Sequence, residues 1–178
     1  MHRLFVALRP PPALRKACLG AMEDGPPGWA WQADEQLHLT LRYIGEVDRP
    51  VAEDVDEALG SIHAAPVMFG LNGVGWFDQR PRGALFARAA PADPLAALHN
   101  KLDRALVRIG LEPERRAYLP HITLARRRSG AVDPTGWVER NAGLASSSEL
   151  VTAMILYDSQ HGRHGSSYEA IARYPLAG

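Results

Sequence analysis

The chain has one cysteine, Cys18, among 178 residues. An intramolecular disulfide is therefore excluded, and a reducing cytoplasm is the expected setting. No apolar run approaches the ~20 residues of a membrane span. The apolar start, Leu4 to Leu8, is too short for a signal peptide and runs into Pro10-Pro11-Pro12. Net charge is also missing: 20 Lys and Arg balance 20 Asp and Glu. That balance argues against binding long nucleic acid through bulk charge, but not against holding one terminal phosphate with a local cluster. Nearly all the positive charge is arginine, which suits forked phosphate contacts. There is no Gly-x-Ser-x-Gly elbow, no Walker phosphate loop and no dinucleotide glycine fingerprint. Serine nucleophile chemistry and dependence on ATP or NAD are not indicated, and no cofactor is expected. His161 and His164 have a spacing a metal could use, but no acidic or thiol partner sits near them in sequence, so no metal site is expected.

Threonine is scarce too, which makes its placement informative. Of four threonines, two lie in a repeated phrase: His38-Leu39-Thr40-Leu41-Arg42 and His121-Ile122-Thr123-Leu124-Ala125-Arg126. With seven histidines, about 0.16 His-x-Thr triplets are expected by chance, so a pair is on the order of a one-per-cent event. In a β-strand alternate side chains share a face, so His38 and Thr40 point one way while Leu39 and Leu41 point into a core. The second copy repeats this with His121 and Thr123 against Ile122 and Leu124. Two such strands side by side offer two imidazoles and two hydroxyls to one pocket. Imidazole titrates near neutral pH, so one ring can serve as base and the other as acid on opposite sides of a phosphorus. The hydroxyls can donate to the non-bridging oxygens.

The paired His-x-Thr-Leu motifs resemble those of the two-histidine phosphoesterase superfamily. Within it, the chain resembles the bacterial RNA 2′,3′-cyclic phosphodiesterases, also called 2′-5′ RNA ligases (LigT-like). The likeness extends to Arg3 through Leu8, Leu37 through Gly45 with Trp31 before it, Gly110 through Arg116 leading to Pro120-His121, and Tyr168 through Leu176. It implies an α+β, bilobal fold: two antiparallel-dominated sheets face a central cleft, helices lie outside, and a pseudo-two-fold relates the lobes. Residues 1–178 would form one such domain, each lobe giving one His-x-Thr strand. The implied reaction is metal-independent opening of a terminal 2′,3′-cyclic phosphate to a 2′-phosphomonoester. The reverse 2′-5′ joining of RNA ends is implied as well. The implied catalytic residues are His38 and His121. Thr40, Thr123 and Arg126 would hold the phosphate, Arg126 standing three residues after the second threonine.

Strict alternation turns Arg126 away from His121, so its role requires the strand to end, twist or bulge near Ala125. Arg42 shares parity with His38 and Thr40, so it either reaches phosphate or faces solvent. Phe5 and Tyr43 could stack a base, with core packing as their competing role. Cys18 is read as a packed thiol. The implied partners are RNA ends or small nucleotides carrying a cyclic phosphate; neither a membrane nor an obligate protein partner is indicated, and a monomer is expected. Two other functions fit the residues. One is a sister enzyme acting on another small cyclic phosphate, such as one derived from ADP-ribose. The other is a module that binds RNA ends without turnover.

Hydropathy patterns predict strands at Leu4 to Leu8, Gly28 to Gln32, Leu37 to Ile44, Pro66 to Leu71, Gly73 to Phe77, Ala84 to Ala89, the stretch from His121, Glu149 to Tyr157 and Ser166 to Tyr174. Helices are predicted over Ala13 to Met22, after Asp48-Arg49-Pro50, over Pro94 to Ile109 and from Asp133-Pro134 to Asn141. His99 is placed on or beside the polar side of the longest helix. Such mixing of hairpins and helices departs from regular βαβ alternation.

Overall fold

A computed structural model describes residues 1–178. Strand β1 (His2–Leu8) buries the whole of Leu4 to Leu8, as suits an apolar strand with a neighbour on each side. Helix α1 (Pro12–Met22) starts at a proline, which has no N–H to leave unpaired, and buries Leu14, Cys18 and Ala21. Strands β2 (Trp29–Trp31) and β3 (Leu39–Val47) follow. Helix α2 (Arg49–Gly60) is capped by the Asp48 carboxylate, which accepts from the Val51 amide at 3.1 Å. Next come β4 (Val67–Gln79), β5 (Arg82–Ala90), helix α3 (Ala92–Arg108) and β6 (His121–Arg127). Helix α4 (Thr135–Arg140) and strands β7 (Glu149–Val151), β8 (Ala153–Gly162) and β9 (Gly165–Pro175) complete the order. No helix is long and apolar enough to cross a membrane.

Several boundaries differ from the sequence expectation; β3 begins at Leu39, one residue after His38, and β8 runs on to Gly162. The two strands predicted across 66–77 are one strand, β4, which absorbs Asn72 and Gly73 as a bulge; Gly73 sits at φ 78°, where a side chain would be strained. The strand predicted at 149–157 is split at Thr152 into β7 and β8 because its two parts pair with different neighbours, β4 and β9. The first motif strand does not close at Gly45; with φ 92° that glycine lets β3 continue to Val47.

The strands form one antiparallel order, β7-β4-β5-β6-β3-β1-β8-β9, with β2 alongside β6. Its two halves, each carrying one motif, are joined through a single ladder pair, Leu39 opposite Ile122. These are the second residues of the two motifs. An antiparallel pair of equivalent residues places a local two-fold axis between them. The local two-fold at the motifs therefore follows from register, and the strand order runs outward from it with four strands on each side, β6-β5-β4-β7 and β3-β1-β8-β9. Leu39 and Ile122 are both fully buried in a core that also takes Leu95, Leu98, Leu102 and Leu106 from α3. The histidine face of both strands is the opposite one.

Candidate active site

Each motif strand carries a bulge at its leucine. Along β1, Ala7 pairs with Thr40 and Val6 with Arg42, so Leu41 is skipped. Along β5, Phe86 pairs with Thr123 and Leu85 with Ala125, so Leu124 is skipped. Two successive residues then point inward: Leu41 and Arg42 in one strand, Leu124 and Ala125 in the other, all buried. Parity reverses beyond each bulge, bringing Tyr43 and Arg126 back to the histidine face. Both are exposed, and both line a cavity with His38 and Thr40. The bulge that Arg126 required is thus present, one residue before Ala125. Tyr43 is its counterpart in the first strand, five residues after its histidine as Arg126 is after His121.

The same bulge corrects the expectation for Arg42. It neither faces solvent nor holds a guanidinium free for phosphate. Only 7% exposed, it donates through Nε to the Asp103 carboxylate at 2.7 Å and through its other nitrogens to the Tyr43 and Glu112 carbonyls. Burial pushes the Asp103 carboxyl upward, but the Glu114 amide and Arg42 together hold it below the usual carboxylate range. His99 is also corrected: it is buried, donates to the Leu41 carbonyl at 2.5 Å and lies flat on Tyr118. Tyr118 donates to the Thr40 carbonyl at 2.9 Å. Arg42, His99 and Tyr118 thus satisfy the carbonyls that the first bulge leaves without ladder partners.

The two histidines are held alike. His38 Nδ1 lies 2.7 Å from the Gln36 carbonyl, and His121 Nδ1 lies 2.6 Å from the Leu119 carbonyl, each two residues upstream. A carbonyl only accepts, so each Nδ1 carries hydrogen and each Nε2 is left as the working atom. Gln36 is fixed in turn, its amide donating to the Ser166 carbonyl at 2.6 Å and accepting from the Ala33 amide at 2.8 Å. Arg9 braces the same turn through the carbonyls of Asp34 and Leu37.

Aromatic rings wall both imidazoles. Phe5, Tyr168 and Tyr157 surround His38 at centroid distances of 4.8, 5.0 and 6.3 Å. Phe86 and Phe77 flank His121 at 5.1 and 5.4 Å. Burial lowers the His38 pKa to about 4; the Gln36 carbonyl opposes this, while Arg126, His121 and Arg9 add to it. The His121 pKa is lowered by burial and by Arg126, against the Leu119 carbonyl. Phe5, read as a base stacker or a core residue, is only 4% exposed, packs on His38 and Tyr157, and borders the cavity that holds His38.

Two cavities meet here. One, of about 400 Å³, is lined by His38, Thr40, Tyr43 and the basic side chains Arg3, Arg82 and Arg126. The other, of about 320 Å³, is lined by His121, Thr40, Tyr43, Phe77, His99 and Tyr118. Thr40 and Tyr43 border both. Thr123 shares the His121 face of its strand but lines neither. Arg127 lies over the Trp29 ring at 5.0 Å and pairs with Asp78 at 2.9 Å, a packing role. Cys18 is buried with its thiol pushed up to about 12, which keeps it inert.

Sequence reasoning gave no site role to His99, Tyr118, Phe77, Phe86 or Tyr157, which reach the site from a helix, strands and a loop far along the chain. Arg82, in the Arg80-Pro81-Arg82-Gly83 turn, is legible in the sequence as a guide for an RNA backbone or as plain loop charge, and the structure sets it on the cavity that holds His38. The arrangement as a whole sets two imidazoles beside adjoining cavities, one of them lined by three arginines, a geometry able to serve acid–base displacement at phosphorus.

Comparison with known proteins places the chain among relatives of the same fold. A relative from Escherichia coli strain K12, an RNA 2′,3′-cyclic phosphodiesterase, is 30% identical over 180 residues, covering 98% of this chain and 97% of that protein. One of the same name from Aeropyrum pernix is 39% identical over 95 residues; the match takes in 52% of this chain and about half, 54%, of the relative. The crystal structure of E. coli LigT complexed with 3′-AMP superposes with a TM-score of 0.81 at 26% identity, over 99% of both chains. The model of the 2′-5′ RNA ligase superfamily matches residues 10–157, and the chain belongs to that superfamily.

Proposed function

We propose that the chain is an RNA 2′,3′-cyclic phosphodiesterase that opens terminal cyclic phosphates to 2′-phosphomonoesters. The observation that carries this reading is the matched pair of histidines, each with Nδ1 held by a carbonyl and Nε2 left to a cavity bordered by Thr40. In this mechanism His38 Nε2 takes a proton from water as the water oxygen bonds to phosphorus. The P–O3′ bond breaks, and protonated His121 gives its Nε2 proton to O3′. Proton exchange with solvent restores both rings. The lowered His38 pKa, about 4, supports its role as base, since the ring is unprotonated at neutral pH. Arg126, Thr40 and Thr123 hold the non-bridging oxygens. When a 5′-hydroxyl takes the place of water, entering through the cavity that carries Arg3, Arg82 and Arg126, the same ring opening with loss of O3′ forms a 2′-5′ linkage. The reading includes a single bilobal unit working as a monomer in the cytoplasm, where the free thiol of Cys18 is at home.

The test is incubation with 2′,3′-cyclic AMP and a short RNA ending in a cyclic phosphate, with chelator present, resolving 2′- from 3′-phosphate products. The expected product is the 2′-phosphate. His38→Ala and His121→Ala should each lose about 10²–10⁴-fold, and the double variant far less than the product of the two losses. Activity that needed an added divalent metal would refute the mechanism.

A further inference from the structure

We infer that the cavity on the His121 side takes the nucleobase of the terminal nucleotide, and that His99 accepts a hydrogen bond from an N–H of that base. This rests on the reaction proposed above. At about 320 Å³ the cavity falls within the size range of small-molecule sites, and Tyr43, Phe77 and Leu119 give it apolar walls. His121, the proton donor to O3′, lines the same cavity, so the ribose and its base belong on this side of the phosphorus.

Two buried polar residues line this cavity, Arg42 and His99; the Arg42 guanidinium is committed to Asp103 and two carbonyls, whereas His99, 6% exposed, keeps a ring nitrogen without a protein partner. Its ring is fixed on two sides. It stacks on Tyr118 with centroids 4.2 Å apart and planes 3° from parallel, and its Nδ1 donates to the Leu41 carbonyl at 2.5 Å. The Tyr118 hydroxyl is already committed to the Thr40 carbonyl. With hydrogen on Nδ1, Nε2 of the neutral ring carries a lone pair, and no protein group donates to it. A fixed acceptor on a cavity wall discriminates between ligands, because one lacking the matching N–H displaces water from it without replacing the hydrogen bond.

Three substrates test this: the 2′,3′-cyclic phosphates of adenosine, of N6,N6-dimethyladenosine, and of a ribose bearing no base. Wild-type kcat/KM should be at least about tenfold higher for adenosine than for the base-free ribose. It should fall about tenfold on dimethylation, which removes the N–H donors. His99→Asn keeps a donor where Nδ1 stands but has no atom at Nε2; His99→Phe keeps the stack on Tyr118. In both, the adenosine to dimethyladenosine ratio should drop to about twofold or less. A ratio cancels any general loss from a disturbed Thr40, and a steric penalty from the methyl groups would survive in both variants. Equal rates on adenosine and base-free ribose would overturn the base pocket while leaving the proposed reaction standing. An unchanged ratio in both variants would overturn the role of His99. No turnover of any substrate would mean that the reaction itself is wrong.

Discussion

An ordinary imidazole titrates near 6.5, whereas burial and the charges of Arg126, His121 and Arg9 hold His38 at about 4. At pH 5 an ordinary histidine is unprotonated in about 3% of molecules, but one at about 4 is unprotonated in about 90%, a ~30-fold difference in competent base. The profile of kcat/KM reports groups of the free enzyme. Its acid limb should therefore lie near pH 4. Its alkaline limb, set by His121 as acid, should lie below 6.5 because burial and Arg126 lower that group too. The bell is displaced toward acid as a whole. Arg126→Gln removes a positive charge that disfavours both imidazolium forms, so both limbs should move to higher pH. The same change should cost about 10²–10³-fold in kcat through the lost phosphate contact. The assay is initial-rate hydrolysis of 2′,3′-cyclic AMP from pH 3.5 to 9, with NMR titration of the His38 ring as a direct readout. An acid limb at 6.5 or above in wild type, or limbs that stay still or move down in Arg126→Gln, would refute the electrostatic reasoning.

Two further outcomes follow from the packing around the bulges. Arg42→Met leaves the Asp103 carboxylate without its ion pair and two carbonyls without donors, so it should lose about 3 kcal/mol in urea unfolding, part of it recovered by adding Asp103→Leu. At Gly75 a Cβ would stand 2.6 Å from Cζ of Phe86, the ring that flanks His121. Gly75→Ala should therefore lower the thermal midpoint by an amount corresponding to about 1–3 kcal/mol and reduce kcat as well, while Gly20→Ala, with open space around it, should do neither.

The sequence by itself determined the elements that carry the chemistry. The repeated His-x-Thr-Leu phrase singled out both histidines proposed as catalytic, since strand periodicity alone puts His and Thr on one face and the apolar residues on the other. A short apolar run supplied β1, and the helical spacing of apolar residues supplied α2 and α3. What it could not supply was the parity beyond each motif. A bulge at Leu41 or Leu124 adds one residue against a partner strand that lies elsewhere in the chain, and no local pattern announces it. For that reason alternation puts Arg42 on the histidine face, where Tyr43 stands instead, and turns Arg126 away from the site. His99 reads as a polar-side residue of an amphipathic helix until α3 docks on β3 and the Leu41 carbonyl, freed by the bulge, becomes its partner. The pKa of His38 and the two cavities are likewise properties of the assembled sheet. They arise where β1, β3, β5, β6, β8 and β9 bring Phe5, Tyr157, Tyr168, Arg82 and Arg126 together, and water exclusion and summed charge exist only once those strands have met.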